Sequence, residues 1–249
     1  MKEQLPRMLT LVLPYYENPT MLQRQLEHLG ALPEDIRAHL TLIVVDDGSP
    51  EFPADDIVVG ARAALPPAEG GLAAFQAYRI EVDVRWNWLA ARNIGVHEGP
   101  DGWFLLTDID HLLPEATARR IIEGELNAKN TYRFSRVDAP DLTPYKPHPN
   151  SWLLTKKRFD AIGGYDERFS GYYGTDGEFR DRVAKNSREI VLLPEPLIRV
   201  PREVVADAST TKYGRKEQQD GEGVTRIRKE IARQGGPTRR LSFPYHRVV

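Results

Sequence analysis

Three short apolar runs, each stopped by a polar turn, constrain this chain most. They are residues 9–13, 42–45 and 103–107. Runs of this length bounded by turn residues read as buried strands. Between them lie stretches with helical spacing. Leu22, Leu26 and Leu29 fall on one face of residues 20–29, and residues 88–96 read as a second helix. Strands alternating with helices predict an α/β fold: a doubly wound, mostly parallel sheet with helices on both faces.

The pattern continues less regularly. Residues 78–84, 132–137, 152–155 and 190–193 read as strands, and residues 175–185 as a helix. Pro114 opens a helix to about residue 126, proline being favoured in a first turn. Residues 139–150 hold four prolines and read as a loop. No repeat or sharp boundary divides the chain, so residues 1–211 are expected to form one domain. From residue 212 onward ten basic residues face four acidic ones, about +6, leaving about −8 for the remainder of a chain of net charge −2. Residues 212–249 therefore read as a basic C-terminal extension around one short helix. The absence of cysteine excludes disulfides, thiolate metal sites and cysteine nucleophiles. No run approaches the roughly 18 apolar residues of a membrane span, and the first residues lack the apolar core of a signal peptide. A cytoplasmic protein is expected.

In open α/β sheets, ligands bind outside the carboxyl ends of the strands. The run Phe104-Leu105-Leu106-Thr107 delivers Asp108 and Asp110 to that place. Two hard oxygen ligands there suit Mg²⁺ or Mn²⁺, and such an ion usually carries a diphosphate. A solvated turn is the plainer reading of two aspartates taken alone. Four further elements stand at similar positions. Asp46-Asp47-Gly48-Ser49 follows the second strand; its carboxylates suit base N–H groups or ribose hydroxyls, and equally a tight turn. Pro14-Tyr15-Tyr16-Glu17-Asn18 follows the first, where a tyrosine suits the lining of a base pocket. Arg92-Asn93 lies on the helix that feeds the aspartate strand, with an arginine suited to phosphate. Gly163-Gly164-Tyr165-Asp166-Glu167 and Gly174-Thr175-Asp176-Gly177-Glu178 form a glycine- and tyrosine-rich segment. Asp176 there stands where a helix begins, as a cap or as a general base.

Taken in order, these segments resemble the family-2 glycosyltransferases of GT-A fold. Val44-Val45-Asp46-Asp47-Gly48-Ser49, Ala91-Arg92-Asn93-Ile94-Gly95, Asp108-Ile109-Asp110 and the two glycine-rich segments carry the resemblance, which spans about residues 9–193. The last of them is similar to the acceptor-side motif of galactosyltransferase-like members. The resemblance implies a nucleotide-sugar-binding half over residues 1–112 and an acceptor half over residues 113–211. It implies a UDP-sugar donor held by Pro14, Tyr15, Tyr16, Glu17, Asp46, Asp47, Arg92, Asn93, Asp108 and Asp110. Mn²⁺ or Mg²⁺ would sit on Asp108 and Asp110, with His246 of the terminal stretch, or His111 beside the pair, as a further ligand. Asp176 would be the base of an inverting transfer, and Glu178 a weaker candidate. Thr175-Asp176 departs from the Glu-Asp often found in that family, but keeps the aspartate. The acceptor stays open: a glycan, a lipid-linked glycan or hydroxymethylated DNA, the basic tail suiting any anionic one. Two alternatives also stay open. A nucleotidyltransferase making a sugar nucleotide is disfavoured by the lack of glycine and lysine in residues 14–18. A non-catalytic nucleotide-sugar or glycan binder is disfavoured by the complete set of carboxylates.

Overall fold

The computed structural model describes residues 7–65, 70–209 and 220–249. Residues 1–6, and Lys212, Arg215, Lys216 and Glu217 of the basic stretch, lie outside the described residues. The first half alternates as expected: β1 (Leu9–Tyr15), α1 (Pro19–Gly30), α2 (Glu34–Arg37), β2 (Leu40–Asp46), α3 (Asp55–Ala64), β3 (Ala74–Ile80), α4 (Trp88–Glu98) and β4 (Trp103–Leu106). The second half holds β5 (His111–Leu112), α5 (Glu115–Glu123), β6 (Thr131–Asp138), β7 (Thr143–Tyr145), β8 (Trp152–Thr155), α6 (Lys156–Ile162), α7 (Asp176–Asn186) and β9 (Ile190–Arg199). Helix α8 (Gly221–Gln234) and strand β10 (Tyr245–Arg247) complete the chain.

All strands join one ten-stranded sheet of order β10-β3-β2-β1-β4-β8-β6-β9-β5, with β7 paired to β6. Strands β3, β2, β1 and β4 are mutually parallel. Beyond β4 the sheet is mixed: β8 runs antiparallel to β4 and to β6, and β9 is parallel to β6. The carboxyl ends of β1, β2, β4, β6 and β9 therefore share one edge. Strands β2 and β4 are buried along their whole length, as expected for a sheet covered on both faces. One core packs α1, α3 and α5 against Leu11, Leu13, Leu42 and Leu105; the other packs α4, α6 and α7 against Val12, Ile43, Phe104 and Leu106. The side-chain period of two along each strand separates the two sets.

Gly95 explains how closely α4 approaches the sheet. A Cβ at Gly95 would stand 2.4 Å from Cγ1 of Val12.

Several boundaries differ from the sequence expectations. The third strand covers Ala74–Ile80, because residues 74–79 are the ones in register with β2. Residues 82–83 turn back over Gly48, whose positive φ of 76° and contact with the Val82 carbonyl leave no room for a side chain. The proline-rich segment 139–150 contains β7, an exposed strip that pairs Tyr145 with Arg136. The tail is not an appendage in its described part. β10 pairs antiparallel with β3, and Val224 and Val249 enter the cores. Arg228 meets Glu178 at 2.5 Å and Arg240 meets Asp160 at 2.8 Å, so part of the tail's positive charge is matched by acidic residues of the body.

Gly95→Ala is expected to cost about 1–3 kcal/mol through overpacking against Val12. A urea titration against the parent protein measures it.

Candidate active site

A cleft of about 740 Å³ runs along the shared carboxyl edge of the sheet. That volume suits a small ligand or cofactor. Pro14, Tyr16 and Asp47 line one side, Asp108, Asp110, His148, Asn150 and Asp176 the middle, and Arg136, Tyr145, Lys146 and Arg199 the other side.

The middle is built around a buried cation. Arg92 lies on α4 with no exposed surface. Its Nη2 donates to Asp108 Oδ1 at 2.5 Å, and its Nη1 to the Asn150 carbonyl at 2.7 Å and the Tyr165 hydroxyl at 2.9 Å. The guanidinium also packs 4.9 Å from the Trp88 ring. A guanidinium presents its donors in a fixed fork, so one side chain ties three segments at a set geometry. Asp108 turns 39% of its side chain toward the cleft. His148 Nε2 stands 3.2 Å from its other oxygen. Burial pulls His148 down to about 4 despite Asp108, so at neutral pH the imidazole is neutral. Burial pushes Asp108 up, but the contact with His148, and then Arg92 and Arg136, outweigh burial and hold it below the usual carboxylate range. An ionised carboxylate beside a neutral imidazole is a competent pair of metal ligands.

Asp110 and His111 complete the group. Asp110 Oδ1 and His111 Nδ1 are 2.7 Å apart, yet neither atom has a hydrogen-bond partner. Arg136 Nη1 lies 2.9 Å from His111 Nε2, and the His111 and His148 rings are 4.8 Å apart. Ligand atoms of Asp108, His111 and His148 all fall within 4.8 Å of one another. The donor set of carboxylate and imidazole suits a divalent transition ion such as Mn²⁺.

The nucleotide-side residues divide into two kinds. Asp46 is buried and accepts from the Ser49 and Ala54 backbone N–H groups at 2.8 and 2.9 Å, so it holds its own turn. The Tyr15 ring is wholly buried and its hydroxyl donates to the Phe52 carbonyl. Glu17 accepts from the Glu51 and Phe52 N–H groups at 2.9 and 3.2 Å. These three support the loops, and their side-chain contacts are with the protein. Pro14, Tyr16 and Asp47 face the cleft. Asp47 is buried with Oδ1 unpartnered. Burial, and then the nearby Asp46, push it well above the ordinary carboxylate value. Asn93 also works inside the protein: it binds both backbone groups of Tyr165 and donates to Glu167 at 2.8 Å.

Asp176 begins α7 and faces the cleft, with Asn150 Nδ2 donating to its Oδ1. Burial raises its pKa, the first property a general base near neutral pH needs. Glu178, two residues on, is engaged by Arg228. Trp86 and Tyr173 lie on the cleft wall with Asp176, their ring centroids 5.0 Å apart and their planes tilted by 53°. His246 is not brought to this group. It lies on β10, 3.3 Å from Glu81. Four strand positions separate β10 from β4, roughly 19 Å at about 4.8 Å each. His148, Asn150 and Arg136 are the site residues that sequence reasoning missed. The histidine and asparagine flanking Pro149 were the available signal.

No family model matches the chain, and no curated protein matches it. Solved structures do. S. aureus TarS 1-349 in complex with UDP-GlcNAc matches with TM-score 0.60 at 12% identity, over 82% of this chain and 61% of that one. The mannosyltransferase PcManGT from Pyrobaculum calidifontis, in complex with GDP-Man and Mn²⁺, matches with TM-score 0.56 at 18% identity, over 95% and 66%. The match to GalNAc-T7 with UDP, GalNAc and Mn²⁺ has TM-score 0.54 at 11% identity, over 79% and 43%. The fold is GT-A. The chain spans about three fifths of the length of TarS 1-349. No helix among the described residues is long and apolar enough to cross a membrane.

Arg92→Lys keeps the charge and loses the fork. It is expected to cost about 2 kcal/mol through buried partners left unpaired, and Arg92→Ala about 3–5 kcal/mol. Equilibrium unfolding in urea measures both.

Proposed function

We propose that this protein is a metal-dependent inverting glycosyltransferase. It would take a sugar from a nucleoside-diphosphate donor, UDP before GDP, and transfer it to a hydroxyl. The observation that carries the reading is the meeting, in one cleft of a GT-A fold, of Asp108, Asp110, His111 and His148 with a separate buried carboxylate, Asp176. The cysteine-free chain suits the reducing cytoplasm, where we place the reaction.

Asp108 with His111 and His148 would hold Mn²⁺, with Asp110 beside them. The imidazoles favour Mn²⁺ over Mg²⁺, which prefers oxygen ligands. When bound, the ion supplies positive charge that stabilises a departing diphosphate. The protein's own residues do the rest. Arg92 holds Asp108 from behind. Asp47 and Tyr16 line the nucleotide side. Asn150 orients the Asp176 carboxylate by donating to one oxygen. Asp176 then takes the proton of the accepting hydroxyl as that oxygen attacks the anomeric carbon and the diphosphate leaves. Direct attack of the hydroxyl deprotonated by Asp176 would invert the anomeric carbon. The tilted Trp86–Tyr173 pair offers an aromatic corner for a sugar ring.

Asp176→Asn is expected to reduce transfer by about 10²–10⁴-fold, the range of a lost general base. Binding of UDP with Mn²⁺, read by calorimetry, should stay close to the parent value; an equal loss of binding would remove Asp176 from the base role. Asp108→Ala is expected to abolish the Mn²⁺ dependence of UDP binding in the same assay. Unchanged Mn²⁺ dependence would take the metal out of the reading.

A further inference from the structure

One end of the cleft has a chemistry that the donor does not require. Strands β6, β7 and β9 bring Arg136, Lys146 and Arg199 around the ring of Tyr145. The Arg199 guanidinium lies 4.2 Å from the ring centroid, that of Arg136 5.0 Å, and the Lys146 ammonium 6.0 Å. All four residues line the cleft. Their arrangement is built. Arg136 is buried, and its Nε donates to the Lys146 carbonyl at 2.8 Å. Arg199 is fixed by Asp138 through two hydrogen bonds, of 2.8 and 2.5 Å. Tyr145 stays exposed, with 39% of its surface open. Lys146 is exposed, and among the described residues the Tyr145 ring is the recorded neighbour of its ammonium.

The charges do not cancel. Asp138 offsets Arg199, and Glu203 is the acidic residue on this part of the cleft wall, beside Arg202. Asp110 and Asp108 act on Arg136 from the middle of the cleft, so Lys146 carries the excess at this end. The position matters as much as the sign. In the sheet, β6 lies two places beyond β4, on the far side of Asp108 and Asp110 from the Pro14–Tyr16 and Asp47 loops. A nucleotide bound on those loops, with its diphosphate at the aspartates, leaves the cationic end for the second substrate.

We propose that this end is an acceptor subsite for a carbohydrate that carries an anionic group, a phosphate or a carboxylate, near the accepting hydroxyl. The Tyr145 ring gathers the three cations, and Arg136, Lys146 and Arg199 supply charge-assisted hydrogen bonds to the sugar's anion. The proposal rests on the glycosyltransferase reading above, and deepens it by naming the acceptor class.

The test uses the full chain and three probes: methyl glucoside, its 6-phosphate, and methyl glucuronide. Each is titrated by ligand-observed NMR with and without UDP and Mn²⁺. The anionic probes are expected to bind about tenfold tighter than the neutral one, the worth of one charge-assisted contact. Lys146→Gln and Arg199→Gln should each narrow that ratio toward one, with UDP–Mn²⁺ affinity changed by less than about twofold. Arg199→Lys, which keeps the charge beside Asp138, controls for folding and should retain most of the preference. Equal binding of neutral and anionic probes by the parent protein overturns the proposal. So does a loss of UDP–Mn²⁺ affinity in Lys146→Gln as large as the loss for the anionic sugars, which assigns the cluster to the donor diphosphate. The donor reading fails separately, if the parent protein binds neither UDP nor GDP in the presence of Mn²⁺. The anion preference measured without nucleotide is scored apart from that result.

Discussion

A buried guanidinium organises this molecule. Arg92 has no exposed surface, and a charge in that position is tolerable only with close partners. It finds them in the Asp108 carboxylate, the Asn150 carbonyl and the Tyr165 hydroxyl. These belong to three segments far apart in sequence: the end of β4, the end of the proline-rich stretch, and the loop before α7. The next residue extends the link. Asn93 grips Tyr165 and Glu167, and Glu167 in turn accepts from the Leu241 and Ser242 N–H groups of the tail. Two consecutive residues of one helix thus tie the acceptor-side loops and the C-terminus to the parallel half of the sheet. Gly95, two positions on, lets that helix lie close enough to Val12 for the reach to work.

The same cation settles the electrostatics of the cleft. Asp108 and Asp176 face the same cleft, and the Asp108 charge raises the cost of ionising Asp176. Arg92 offsets that cost from beneath Asp108, and it lowers Asp176 too, although burial still leaves Asp176 above the ordinary carboxylate range. Asp108 is therefore held ionised while Asp176 binds a proton more readily, which is the division of labour the proposed reaction needs. The two carboxylates differ in surroundings rather than in kind, and that difference separates a ligand from a base.

The parallel half of the fold was legible because its strands are short apolar runs with unambiguous polar stops. Residues 9–13 and 42–45 fall inside strands of the sheet, and the third run forms β4 over all but its last residue, Thr107. Positions were also legible: Asp47, Asp108, Asp110 and Asp176 all face the cleft. Roles were less so. Asp46 and Asp47 are adjacent and chemically identical. One staples the Ser49 turn and the other opens into the cleft, because successive side chains at a strand end point to opposite sides. Tyr15 and Tyr16 divide in the same way. His148, Asn150 and Arg136 escaped because their meeting with Asp108 and His111 depends on the pairing of β8 with β4 and β6. A local pattern does not carry such long-range register.

Charge asymmetry looks different along the sequence and in the fold. Along the sequence, the positive excess belongs to residues 212–249, which made the tail the natural place to expect an anionic partner. In the fold, Arg228 faces Glu178 and Arg240 faces Asp160, so those tail cations answer the acidity of the body. The cations that open into the cleft come from the middle of the chain, on strands whose local composition is unremarkable. Net charge summed over a segment measures what the segment could attract if it stood alone. A packed segment spends that attraction on its own protein first. What remains for a ligand is the charge that topology leaves without a matching carboxylate. Here that surplus lies around Tyr145, at the far end of the same cleft that holds Asp108 and Asp176.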